Sequence, residues 1–300
     1  MADPGRRFLV VGASGLVGGT LFSLLERLGR PAFGTQAAMR RPGLTGFDLK
    51  DDRIADKVDP AFLSAGAVAV ICASICQIDR CRRERDAARV VNVGHTIRLA
   101  DDLRARGIKT VFISSGYVFD GARGYYAEEH PRRPICEYGR HKQAVEDHLL
   151  ARDPEALILR LDKVVADDPA REHLFTEWHR WLAAGKPITC IQGQVFSPTL
   201  VGDVARAVVR AAELDLKGVY HAANPEFFAR EELARQFAWA LGREPVIVSR
   251  PQSDFAFDDP RPEKTYLDAT KFVKAADFRF TSMREAFGAF RARLEASASR

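Results

Sequence analysis

No stretch of this 300-residue sequence is apolar for long enough to cross a membrane. The run from Ala65 to Cys76 is interrupted by small and polar residues well short of the ~20 that a span requires. The opening "MADPGRRFLVVG" passes straight into a strand pattern, without the charged, apolar and small-residue sections of a signal peptide, so a cytosolic location is expected. Cysteine is scarce as well. Five are present, an odd number without C-x-x-C spacing, which excludes a common zinc motif and favours reduced thiols. Internal repeats and low-complexity tracts are absent. The charge surplus is small, +5 from 45 basic and 40 acidic residues. Its densest patch, Arg80 to Arg85, lacks the aromatic or recognition-helix context of a nucleic-acid binder, so it reads as a solvated helix face. A modest positive balance does suit an anionic small ligand.

What is present is a chain that is 46% hydrophobic and able to bury a large core, as one large domain or two intimately joined ones. Strand-like runs occur at Phe8 to Val11, Ala67 to Ala73, Thr110 to Ser114 and Leu157 to Leu161, with a weaker one at Pro31 to Thr35. Helical patterns at Leu16 to Leu28, Asp86 to Arg106 and Tyr138 to Ala151 separate most of them. This alternation predicts an α/β fold, a doubly wound parallel sheet with helices on both faces. After about residue 165 the rhythm changes. Strand candidates at Pro187 to Ile191 and Gly218 to His221, and helices at Leu200 to Leu214, Arg230 to Leu241 and Ser282 to Glu295, predict a smaller mixed α/β lobe. The expected division is 1–165, joined by about 192–215, against 166–191 with 216–300.

"LVVGASGLVGG" sets Gly12, Gly15 and Gly18 between the first strand and the first helix. Such glycines permit a tight turn, close backbone approach to a pyrophosphate, and close helix–strand packing, in that order. The free N–H groups at the helix start then favour the phosphates. After the second strand, in "FGTQAAMRRPG", no acid appears until Asp48, whereas NAD-preferring enzymes usually place one there. Arg40 and Arg41 are suited to charge-assisted bonds with a 2′-phosphate, so NADP is expected over NAD.

Further on, "FISSGYVFDG" ends a buried strand in two hydroxyls, and "EYGRHK" opens a helix with Tyr138 and Lys142 four residues apart on one face. A phenol titrates near ~10, and a neighbouring cation is needed to stabilise its phenolate at neutral pH. Tyr138 is therefore expected to protonate a carbonyl oxygen, with Lys142 tuning it.

These pieces, together with "GASGLVG", "VICAS", "VNVGHTIRLA", "LILRL", "GQVFSPTLVGDVARAV", "GVYHAANPE" and "RPEKTYLD", follow one another over about 290 residues. In that order the chain resembles an extended short-chain dehydrogenase/reductase, and more narrowly the dTDP-4-dehydrorhamnose reductase family. The resemblance implies a Rossmann fold, NADPH and a nucleotide-sugar substrate. It implies a catalytic trio of Ser115, Tyr138 and Lys142, with Ser115 on the substrate carbonyl and Lys142 on the nicotinamide ribose. It also implies that Gly12, Ser14, Gly15, Leu16, Val17 and Gly18 line the pyrophosphate. Asp48 and Leu49 would lie near the adenine, Cys72, Ala73 and Ser74 along the strand leading to the cofactor, and Asn92 near the active-site helix. Gln194 and Thr199 are implied as substrate contacts, beside Gly116 and Tyr117. A homodimer is compatible with the family, and no nucleic-acid, membrane or metal partner is expected.

The sequence departs from the family pattern in three places. Gly116 stands where an Asp is usual, His141 replaces the serine before the lysine, and "GQVF" replaces Asp-Gln-x-Gly. Gly116 and Tyr117 cannot supply the acid and base of a sugar-nucleotide dehydratase. His141 is expected on the helix surface. A 4-keto sugar nucleotide other than dTDP-4-dehydrorhamnose is the expected substrate. The alternatives are a regulatory subunit like that of methionine adenosyltransferase, or a sugar-nucleotide epimerase.

Overall fold

The four-residue runs FLVV (β1, Phe8–Val11) and VAVI (β4, Val68–Ile71) are buried at every position, as strands covered on both faces must be. In the computed structural model, which describes residues 5–37 and 41–298, they lie side by side at the middle of a seven-stranded parallel sheet. The remaining strands are β2 (Ala32–Gln36), β3 (Thr45–Gly46), β5 (Lys109–Ser115), β6 (Leu157–Leu161) and β11 (Gly218–His221). Their order is β11-β6-β5-β4-β1-β2-β3. From β1 the chain winds outward to β2, and from β4 to β5. The strand order reverses between β1 and β4, and the crevice beyond their carboxyl ends is where such sheets bind ligands.

Helices α1 (Leu16–Arg27), α8 (Val201–Glu213) and α10 (Thr270–Ala276) cover one face, where Leu21, Leu25, Val204, Val208 and Phe272 join one core. The other face is covered by α2 (Ile54–Lys57), α5 (Thr96–Ala105) and α6 (Glu137–Arg152). At its margin lie α3 (Ile78–Arg83) and α4 (Arg85–Arg89). The expected helix from Asp86 to Arg106 is divided. A π-helical segment, Val90–His95, separates α4 from α5 and turns Asn92 inward.

A second core gathers α7 (Leu174–Ala183), α9 (Arg230–Ala240) and α11 (Met283–Ala298) around Phe175, Trp178, Phe237, Phe287 and Phe290. Short strand pairs surround it: β7 (Lys163–Val165) with β10 (Pro198–Leu200), β8 (Ile188–Ile191) with β13 (Ile247–Arg250), and β9 (Val195–Phe196) with β12 (Phe228–Ala229). The strand expected at Gly218 to His221 in the smaller lobe is instead β11, the outer strand of the main sheet beside β6. Three of its four residues are only half-buried, the pattern of an edge strand, which disguises its place in sequence.

Candidate active site

The turn after β1 leaves no room for a side chain at Gly12 or Gly18. Gly12 has φ +91°, and a Cβ there would stand 2.8 Å from the backbone nitrogen of Ala73 at the end of β4; one on Gly18 would stand 2.3 Å from the Gly12 carbonyl oxygen. Gly12 N–H donates to Thr35 Oγ1 (3.3 Å) and Ala13 N–H to the Thr35 carbonyl (2.7 Å), tying the turn to β2. Gly15, in extended conformation, precedes the first turn of α1, where no side chain caps the N–H groups and no acid competes with an anion. A dinucleotide's phosphates fit this cradle of bare backbone.

Two cavities open from it, sharing Gly12, Gly15, Cys72 and Ser74. The one of about 320 Å³ is lined by Ser14, Asp48, Leu49 and Ala73, and also by Thr35, Gln36 and Arg80. Gln36 anchors the loop after β2: its side chain donates to the carbonyls of Leu44 (2.9 Å) and Arg41 (3.1 Å) and accepts from Arg41 N–H (2.5 Å). The Arg41 guanidinium reaches 3.2 Å from where a Cβ of Gly19 would sit, over α1, and does not line this cavity. Arg40 lies outside the described residues. Arg80 borders this cavity and pairs with Glu84 at 2.9 Å; with Arg82, Arg83 and Arg85 it is exposed, so the patch is the solvated helix face expected.

The second cavity, about 440 Å³, takes Leu16, Val17 and Gly18 from the turn, Ser115 and Tyr117 from the end of β5, and Tyr138 and Lys142 from α6. The proposed trio is thus assembled in one cavity. Ser115 Oγ accepts from Tyr117 N–H (3.2 Å), capping the short turn Gly116–Val118. Its neighbour Ser114 donates to Glu146 (2.5 Å), a fully buried carboxylate held by Arg160 (2.7 Å) and Arg132 (3.1 Å). A buried ion pair needs this completeness of hydrogen bonding to offset its desolvation. The network fixes the carboxyl end of β5.

Lys142 Nζ donates to the Ile113 carbonyl (2.8 Å) and stands 5.6 Å from the centre of the Tyr138 ring. Burial lowers its pKa to about 8. The same enclosure pushes the Tyr138 phenol well above its usual value, with the thiols of Cys76, Cys81 and Cys136 adding to the effect. The tuning expected from the Tyr-x-x-x-Lys spacing is therefore reversed in the protein alone, because desolvation outweighs a lysine at this range. The phenol is held neutral, the form in which it can donate a proton. Cys72 is likewise pushed up to about 12 by burial and acts as a small apolar wall.

Several expected contacts lie elsewhere. Asn92 Oδ1 accepts from Ile75 N–H (2.8 Å) and Ser74 Oγ (3.2 Å), and its amide donates to the Ile75 carbonyl (2.9 Å). It positions the loop after β4 and lines neither cavity. Thr199, fully buried in β10, accepts from Asn224 N–H (2.8 Å) and is also outside the lining. Gly116 is packed under the segment that returns from the second lobe: a Cβ on it would meet the Thr265 carbonyl at 3.2 Å. His141 is not on the surface but 1% exposed, with Nδ1 3.3 Å from the Asn92 amide and Nε2 without a partner. The π-helical segment and α3 cover that face of α6. Gln194 does line the cavity.

The sequence did not single out Asp162, Lys163, Arg230, Pro262, Glu263 and Thr265, all part of the same wall. Asp162 and Lys163 follow directly on β6, and a position just past a parallel strand was the available signal. Arg230, the first residue of α9, carried none. The segment rich in Pro and Asp is a strap tied across the cavity rim: Arg261 pairs with Asp79 (2.7 Å), Arg83 with Asp258 (2.8 Å), and Asp259 accepts from Glu137 N–H (2.6 Å) at the start of α6.

Comparisons with known proteins agree with this architecture. The family model described as RmlD substrate binding domain matches residues 6–296. The chain is 30% identical over 274 residues to a dTDP-4-dehydrorhamnose reductase of Mycobacterium tuberculosis, covering 89% of this chain and 85% of that protein. It is 29% identical to methionine adenosyltransferase 2 subunit beta of Rattus norvegicus, with 89% and 82% covered. Among solved structures, a dTDP-4-dehydrorhamnose reductase of Bacillus anthracis in complex with NADP superposes with a TM-score of 0.83 at 22% identity, covering 95% of this chain and 98% of that one, a likeness of fold.

Proposed function

The chain belongs to the RmlD substrate binding domain family, and from that premise we propose that it is an NADPH-dependent reductase of a keto group on a nucleotide-linked deoxysugar. The observation that carries the reading is the meeting of the bare glycine cradle with Ser115, Tyr138 and Lys142 along one cavity wall. When bound, the dinucleotide supplies hydride to the carbonyl carbon.

The residues of this chain do the rest. Gly12, Gly15 and the first turn of α1 hold the pyrophosphate through backbone N–H groups, which need no charged side chain. Ser115 orients the carbonyl by donating from its hydroxyl, which is free to do so because its oxygen accepts from Tyr117 N–H. Tyr138 gives its proton to the carbonyl oxygen as negative charge grows there, a general-acid contribution of roughly a hundredfold to ten-thousandfold. Lys142 holds the ribose and stabilises the resulting phenolate. Its bond to the Ile113 carbonyl fixes the ammonium at the end of β5. β2 ends in Gln36, where NAD-preferring enzymes usually place an acid for the ribose hydroxyls, and this favours NADPH over NADH.

The test follows NADPH absorbance with a panel of enzymatically generated 4-keto sugar nucleotides. Oxidation with at least one of them is expected, falling about a hundredfold or more in Tyr138→Phe while NADPH affinity is retained. An unchanged rate in that variant overturns the role of the phenol. The similarity to methionine adenosyltransferase 2 subunit beta supports a second reading, a cofactor-binding regulatory subunit. A stoichiometric protein partner, with no oxidation across the panel, would establish it instead.

A further inference from the structure

The wall supplied by the second lobe carries two cations where one cavity needs none for the chemistry above. Arg230 donates from Nη1 to Gln194 Oε1 (3.1 Å), lies over the Trp178 ring (5.8 Å from its centre) and reaches the buried Cys190 thiol, while its Nε has no hydrogen-bond acceptor. Lys163 lines the same cavity. Desolvation at that wall, followed by the charge of Arg230, lowers its pKa to about 8 against the opposing charges of Asp162 and Glu177. Neither cation forms an ion pair with a carboxylate among the described residues. The nearest acid in sequence, Asp162, is already committed, accepting from Ser197 N–H (2.6 Å) and from the Thr265 hydroxyl.

Two like charges brought together between low-dielectric walls repel one another, and an orphaned guanidinium N–H is costly to bury. A surface lysine or an arginine serving only to pack on Trp178 would not explain both. Resting on the reductase reading, we propose that Lys163 and Arg230 form the anion subsite for the substrate, binding a phosphate or carboxylate carried by the molecule whose carbonyl reaches Tyr138. Arginine suits this task through its planar fork and lysine through its compact charge. Two sources share that chemistry: the diphosphate of a sugar nucleotide and the carboxylate of a sugar acid.

Calorimetry on the NADPH-bound protein, without turnover, separates them. UDP and dTDP probe the diphosphate; galacturonate probes the carboxylate. Binding of one class is expected, weakened roughly 10- to 100-fold in Lys163→Gln and in Arg230→Gln. NADPH affinity, measured separately, should stay within about twofold in both variants, which also reports that they fold. If the wild type binds neither class, or if both variants bind as the wild type does, the subsite is overturned. If an anion binds and both variants lose it while no keto sugar is reduced, the subsite stands and the reductase reading fails.

Discussion

The two walls of the 440 Å³ cavity are built on different principles. One wall is backbone: the ends of β1, β4 and β5 and the first turn of α1, where side chains are excluded at Gly12 and Gly18. Its geometry follows from a parallel sheet that reverses winding between β1 and β4. The other wall is side chain. Lys163, Gln194, Arg230 and Glu263 arrive from four segments separated by 31, 36 and 33 residues, and nothing periodic links them. A wall made of backbone serves any dinucleotide, because every dinucleotide has the same pyrophosphate. One made of side chains can be exchanged residue by residue, and under the proposed function it is the wall that selects the substrate.

The largest effect should come from breaking the backbone wall. Gly12→Ala places a Cβ 2.8 Å from the Ala73 nitrogen at φ +91°, and neither neighbouring strand end can yield cheaply. Strain of that kind costs on the order of 1–3 kcal/mol, and the phosphate turn must open to relieve it. NADPH affinity is expected to fall about 10- to 100-fold by fluorescence titration. Affinity equal to the wild type would mean that the turn is not the cofactor's cradle, and the contrast between the walls would go with it.

The second effect lies where the walls meet. Burial has lowered Lys142 to about 8 from its usual 10.5, so its positive charge is present below that pH and lost above it. The kcat/KM for NADPH reports the free enzyme. It should fall as pH rises through about 8, approaching tenfold per pH unit, and Lys142→Met should show a lower, flat profile over the same range. A wild-type profile level to pH 10 would place the controlling charge elsewhere.

The contrast also accounts for how much was legible in sequence. β1, β4, β5 and β6 are continuous apolar runs, and the glycines of the phosphate turn sit at fixed offsets, so local pattern suffices for them. Tyr138 and Lys142 share a helix, and their spacing alone put them together. His141 and Asn92 failed for the opposite reason. A π-helical segment, which no periodicity announces, swings Asn92 onto the loop after β4, and His141 is buried by that contact. Thr199 stands in a segment that does approach the cavity, but in β10 its hydroxyl is taken by Asn224 N–H, while Gln194, just before β9, faces in. Gly116 is explained by the strap that crosses it, 149 residues later at Thr265. Such placements depend on tertiary contacts between distant segments and leave no local signature.

The smallest effect sharpens the comparison from the side-chain wall. Enclosure raises Asp162 from 3.8 to about 6, against the opposing pull of the bonds from Thr265 and Ser197. Between those two values the folded protein holds a proton that the unfolded chain has released, so stability falls as pH rises from about 4 through 6 and levels off beyond. Asp162→Asn carries no such charge, and its Oδ1 can still accept from Ser197 N–H. The variant's Tm should match the wild type near pH 4, draw ahead between pH 4 and 6, and stay about 2–4 °C higher at pH 8. A variant less stable than the wild type at pH 8 would show that the ionised carboxylate's hydrogen bonds outweigh its burial. The expected sign means that the side-chain wall keeps a charge at the expense of folding. The backbone wall carries no such cost, since its N–H groups are ones the fold already has to place.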